Sequence, residues 1–178
     1  MLFRSEALAP LSRPAGENPY TVHGEVQDTM SNLVGIIRTE TEIKKALAEL
    51  DALGARAAEV SAAGGSAYNP GWHLALDMRN IMLMARCVAE AALERQESRG
   101  GHTRDDYPGM RPDWRKINLV CGLAGDDITI TRQPTPPMRD DLIALFDRGE
   151  LKKYWTEEEL AAMPPEAPGA TAVTKEKH

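Results

Sequence analysis

The densest gathering of groups able to do chemistry is Glu97, Arg99, His102, Arg104, Asp105 and Asp106, set around Gly100-Gly101. An imidazole titrates near neutral pH and can shuttle a proton, and arginine forks can clamp a carboxylate through two parallel hydrogen bonds. The same residues also read as a salt-bridged loop that caps the helix before it and fixes a domain contact. The structural reading is preferred, because catalysis needs a concave, water-excluding site and a small bundle with an open flank offers no obvious one. Glu97, Arg99, His102, Arg104 and Asp105 are therefore assigned as an interface or structural motif, with no catalytic, cofactor-binding or metal-binding residue. Arg99 and Asp105 are expected to tie the helix to the loop.

Other chemistries find less support. The four histidines, His23, His73, His102 and His178, form no short pair of the kind that holds a metal on one helix face. Cys87 and Cys121 lie far apart in sequence, outside any paired-ligand spacing, and are expected to be reduced thiols, the first in the core and the second on a strand. A dinucleotide cradle needs a glycine-rich turn between a strand and a helix, whereas Gly64-Gly65 and Gly100-Gly101 each follow a helix and serve to end it. The methionines Met78, Met82 and Met84 are core filling.

The 178 residues carry 21 Lys+Arg against 27 Asp+Glu, a net charge of -6, with no basic block that would attract a phosphate backbone or an anionic membrane. Nucleic acid is excluded as a partner. Asp77, Arg79, Arg86 and Glu90 interrupt the longest apolar stretch, so membrane insertion is excluded too. Residues 1–11 lack the pattern of a secretory signal, which leaves a cytoplasmic setting.

Three helices must position the polar cluster. Residues 1–17, broken by Pro10, Pro14 and Gly16, read as a linker. Asn18-Pro19 is a cap followed by proline at the first helical position, and Val22, Val26, Met30, Leu33 and Ile37 recur at helical spacing, predicting a helix over 19–38. Thr39 and Glu42 form a capping box ahead of a second helix to about Val60, with Ile43, Leu47, Leu50 and Ala57 on one face. Asn69-Pro70 opens a third helix reaching about Glu97, apolar enough to be buried on several sides and to leave surface for another domain or chain. On that count the chain reads as incomplete. Residues 117–121 and 128–131 alternate as a β-hairpin across a 122–127 turn. An amphipathic helix follows around Leu142, Ile143, Leu145 and Phe146, which Gly149 can end, and Thr156 with Glu159 starts one more. The tail, 164–178, is too poor in apolar residues to order. The fold expected is mainly α: a three-helix, spectrin-repeat-like bundle and polar loop over 18–116, then a small hairpin and a short helical extension over 117–163.

The run Glu97-Ser98-Arg99-Gly100-Gly101-His102-Thr103-Arg104-Asp105-Asp106-Tyr107-Pro108 resembles the Glu-Ser-Arg-Gly-Ala-His-x-Arg-x-Asp-Phe/Tyr-Pro motif of the succinate dehydrogenase and fumarate reductase flavoprotein family, to which L-aspartate oxidase is related. Met30 with residues 34–40, Asn69-Pro70-Gly71-Trp72 and Trp114-Arg115-Lys116 follow the family's order and spacing. The resemblance covers about residues 16–131 and implies the carboxy-terminal helical domain of the flavoprotein subunit, which is a three-helix bundle packed on the flavin domain. It further implies FAD in the parent enzyme and none in this chain, a further partner in an iron–sulfur subunit, and a parent complex on the cytoplasmic face of the inner membrane. The family's flavin- and substrate-binding residues lie upstream of this domain, so none maps here. Gly101 stands where alanine is frequent.

Three functional readings follow: a domain of a FAD-dependent dicarboxylate oxidoreductase, serving as scaffold and interface; a free-standing interaction protein derived from it; and an enzyme using His102 and Arg104. In isolation the open face of the third helix is expected to self-associate, or to be covered by Leu142, Leu145 and Phe146 folding back.

Overall fold

Asn18 accepts the backbone N–H of Tyr20 and Pro19 fills the first turn, so helix α2 starts where local chemistry puts it and runs Pro19–Leu33. The capping box at Thr39 is fully formed, its hydroxyl receiving Glu42 N–H while the Glu42 carboxylate receives Thr39 N–H, and helix α3 runs Glu40–Ala58. Asn69 caps helix α4, Pro70–Glu94, through Trp72 N–H. These three helices form the bundle in a computed structural model that describes residues 2–165.

Their buried positions step by three and four residues, which keeps one stripe of each helix on a common axis. The stripes are Val22, Val26 and Thr29 on α2; Ile43, Ala46, Leu50, Leu53 and Ala57 on α3; and Ala75, Met78, Met82, Ala85, Ala89 and Ala92 on α4. Each fully buried Ile, Leu or Met contributes roughly 1.5–3 kcal/mol. The buried hydroxyl of Thr29 is satisfied by donating to Glu49 Oε2 at 3.1 Å. Full burial on α4 follows its alanine-methionine stripe, with Leu74, Ile81 and Leu93 partly buried against the core, whereas Met84 is 61% and Val88 46% exposed. The expectation of burial on several sides is corrected to that extent.

Residues 1–17 are not simply a linker: helix α1 spans Leu2–Ser12 with Pro10 inside it. Tertiary contacts offset the missing proline N–H, since Ala62 N–H donates to Pro10 O and the Trp72 indole donates to Ala7 O at 2.7 Å. Nor does α2 reach Arg38. It stops at Leu33, and Ile37–Arg38 becomes strand β1, in parallel register with strand β2, Thr103–Arg104. Ending helix α2 early frees the Ile36 and Arg38 carbonyls for Thr103 and Asp105 N–H, a sheet the helical periodicity could not reveal. Helix α4 likewise ends at Glu94 rather than Glu97.

The chain divides into two compact units, Met1–Gly109 with Cys121–Ile130, and Met110–Val120 with Thr131–His178. The hairpin, strand β3 Ile117–Ala124 and strand β4 Asp127–Pro134, is longer than expected and turns tightly at Gly125, whose φ of +68° suits a residue without Cβ. The second unit also holds short helices: α5 Pro112–Arg115, α7 Arg148–Leu151 and α8 Glu157–Ala161, with a single turn α6, Asp140–Ile143, before α7. The amphipathic helix expected around Leu142 is thus two separate turns. Asp147 caps α7 by accepting Gly149 and Glu150 N–H, so Gly149 lies inside a helix instead of ending one. Leu142, Leu145 and Phe146 are 43%, 61% and 45% exposed. The tail expectation falls outside the described residues from 166 onward.

Candidate functional site

Helix α4 ends with carbonyls that have no helical partner, and a buried helix end must find donors for them. Arg104 supplies these. Fully buried, it donates through Nη1 to Ala92 O at 2.9 Å, Leu93 O at 3.1 Å and Arg95 O at 3.4 Å. Its other edge, Nε and Nη2, meets both oxygens of Asp106 at 2.7 Å. Asp106 Oδ2 in turn accepts the backbone N–H of Glu40 at 2.9 Å, at the first turn of α3. A cation therefore sits at the negative end of one helix and an anion at the positive end of the next, joined to each other. The Arg104 guanidinium, helped by the Glu40 N–H, lowers the Asp106 carboxyl to about 2.

Glu97 is fully buried and holds two arginines, accepting Arg95 Nη1 at 2.6 Å and Arg99 Nε and Nη2 at 3.0 Å each. Arg99 and His102 exchange backbone hydrogen bonds of 2.7 and 3.0 Å across a turn in which Gly100 has φ +58°. His102 Nε2 lies 3.1 Å from Arg95 O, an acceptor only, so that nitrogen carries the proton. Burial, with Arg38, Arg104 and Arg95 close by, depresses the His102 pKa and favours the neutral ring. Ser98 Oγ bridges Arg104 N–H and the carbonyls of Arg104 and Tyr107, and the Arg104 guanidinium lies 4.8 Å from the Tyr107 ring.

The structure brings together Glu97, Arg99, His102 and Arg104, and leaves the side chain of Asp105 outside that cluster. Its side chain is exposed and only its backbone N–H is used, toward Arg38 O at 3.1 Å. The adjacent Asp106 is the helix tie, and Arg99 is tied to Glu97 rather than to an aspartate. Sequence could not choose between neighbouring aspartates, because the choice depends on which one faces the α3 amino terminus. Trp114-Arg115-Lys116 organises the second unit: Arg115 and Lys116 pair with Glu159 at 2.6 and 2.8 Å, Arg115 lies over the Trp155 ring at 4.6 Å, and Arg132 lies over Trp114 at 4.6 Å.

Chemically, the loop is a set of charges spent on the bundle itself. A hollow of about 570 Å³ lies among α1, α3 and α4, lined by Ala57, Ala75, Leu76 and Met82 among others, and no residue of the loop lines it. The residues present do not fit a flavin pyrophosphate. Strand β1 enters α3 through Thr39, and the carboxylates of Glu42 and Asp106 already occupy Thr39 and Glu40 N–H, so an anionic diphosphate would meet like charge there. Among the described residues, no three His, Cys, Asp or Glu side chains are grouped to hold a metal ion.

A family model described as fumarate reductase flavoprotein C-term matches residues 23–141. A fumarate reductase (CoM/CoB) polypeptide of Methanothermobacter marburgensis is 26% identical over 115 residues, covering 65% of this chain and 21% of that protein. The fumarate reductase flavoprotein subunit of Helicobacter pylori (strain J99) is 33% identical over 103 residues, covering 57% and 14%. Among solved structures, a chain of Mycobacterium smegmatis Sdh1 in complex with UQ1 is 51% identical with a TM-score of 0.81, over 91% of this chain and 28% of that one. The chain spans about a fifth or less of the length of these curated relatives.

Proposed function

Since the chain belongs to the family of fumarate reductase flavoprotein C-terminal domains, we propose that it is the scaffold and docking face for the flavin domain of such a protein. The observation that carries this reading is the loop itself. Arg104 and Asp106 direct their charge at helix ends and at each other, and Glu97 holds Arg95 and Arg99 beside them, which keeps α3, α4 and β1 in one frame. Beside that frame Ile36 and Ile37 are 68% and 65% exposed, an apolar edge at the strand that pairs with the loop. Apolar side chains next to a rigid polar frame suit a docking contact between domains.

In this reading the dicarboxylate chemistry and the FAD belong to the flavin domain, which is the first partner, and an iron–sulfur subunit is a further one. Among the described residues no helix is long and apolar enough to cross a membrane. The proposed setting is a complex on the cytoplasmic face of the inner membrane, held there by other subunits.

The test is to produce this chain and the flavin domain of the same flavoprotein as separate polypeptides. Size exclusion with flavin absorbance should show the chain eluting colourless by itself and co-eluting with the yellow flavin domain when mixed. Ile37→Asp should weaken that association about tenfold, the loss expected for one half-buried apolar anchor. Stoichiometric flavin on the chain alone, or no complex at micromolar concentrations, would overturn the proposal.

A further inference from the structure

Cys87 on α4 and Cys121 on β3 are 34 residues apart in sequence, yet Cys121 Sγ donates to the Cys87 carbonyl oxygen at 3.8 Å. Both are free thiols; Cys121 is exposed and Cys87 partly so. Burial raises the Cys87 thiol first, and the charge and hydrogen bonding of Cys121 raise it further, so the two sulfur groups sense each other directly. Neither cysteine has a role in the scaffold described above.

We propose that Cys87 and Cys121 are a peroxide-responsive pair that closes to an intramolecular disulfide, joining α4 to the hairpin. The exposed Cys121 reacts first. Its thiol first releases a proton; the thiolate then attacks a peroxide oxygen, the O–O bond breaks to give a Cys121 sulfenic acid and hydroxide, and the hydroxide takes up the released proton to become water. Cys87, held protonated until then, gives its proton to the departing hydroxyl as its sulfur bonds to Cys121; the S–O bond breaks and a second water leaves. Two thiols and one hydrogen peroxide become one disulfide and two waters. A thiol already resting on the other cysteine's backbone reaches an S–S distance of about 2 Å by side-chain rotation with small backbone adjustment, keeping the fold.

The test uses the full reduced chain, treated with equimolar hydrogen peroxide, alkylated and digested with trypsin. Cleavage after Arg86 and Lys116 leaves Cys87 in peptide 87–95 and Cys121 in peptide 117–132. The expected product is these two peptides linked, lighter by two hydrogens, from a chain still monomeric on a non-reducing gel. Dithiothreitol should reverse it, and the oxidised chain should melt about 5–10 °C higher. Cys87→Ser should leave a Cys121 sulfenic acid that a nucleophilic probe captures, and Cys121→Ser should leave Cys87 open to alkylation. Disulfides only between chains, or Cys121 passing to sulfinic acid while Cys87 still alkylates, would overturn the proposal.

Discussion

Replacing Arg104 by alanine removes one side chain and strands groups in three places. Ala92 O and Leu93 O lose a buried donor, at about 1 kcal/mol each for an acceptor left unsatisfied. Asp106 loses its cation, but its side chain is 29% exposed, so water limits that loss to about 1 kcal/mol. The sum, about 3 kcal/mol, lies at the low end for breaking a buried ion pair and corresponds to a melting point lower by about 6–12 °C in a chain of this size. Arg104→Lys, a single point donor, can reach the carbonyls or the carboxylate but not both, and should lose about half as much. The pH dependence supplies a sharper check. Asp106 titrates at about 2 in the fold against 3.8 for the ordinary group, so its contribution is complete above 3.8 and is lost as the pH falls toward 2. Arg104 supplies about 1 kcal/mol of that contribution, and the Glu40 N–H, which the variant keeps, supplies part of the rest, so the difference between wild type and Arg104→Ala should narrow by about 1 kcal/mol between about pH 5 and pH 2, leaving the roughly 2 kcal/mol of the stranded carbonyls. Urea unfolding across that range measures it. A difference below about 1 kcal/mol at neutral pH, or one that does not change with pH, would refute the helix-end account of Arg104.

Asp105 and Arg99, and likewise the two loop glycines, should separate by their effect on stability. Asp105→Ala, at an exposed side chain, should change stability by less than about 0.5 kcal/mol, whereas Arg99→Ala leaves Glu97 buried with one arginine fewer and should cost about 1–2 kcal/mol. Equal effects would mean that the loop is not organised around Glu97. Gly100→Ala forces a Cβ onto φ +58° and should cost roughly 1–2 kcal/mol, while Gly101→Ala has open space around its Cβ and should be neutral or stabilising by up to about 1 kcal/mol. Thermal melts in the reverse order would show that the turn between Arg99 and His102 is not the one described.

What the sequence determined by itself was local. Asn18-Pro19, Thr39 with Glu42, and Asn69-Pro70 start helices because a cap acts on N–H groups within three residues, and the structure has all three starts in place. The alternation after Ile117 gives a hairpin for the same reason, and the motif from Glu97 to Pro108 carries the family resemblance in its residue types alone. Tertiary structure decided what depends on approach across the chain. Pro10 sits in a helix because Trp72 and Ala62 reach α1, and α2 stops at Leu33 so that β1 can meet β2, a strand far along the chain. Asp106 rather than Asp105 is the tie because it alone meets both Arg104 and the Glu40 N–H. Cys87 and Cys121 become neighbours only once the hairpin is placed against α4. A charge or a thiol has no partner encoded in its immediate neighbours; burial selects one, since in the folded chain each desolvated group is stable only where an opposite charge or a hydrogen-bonding group meets it.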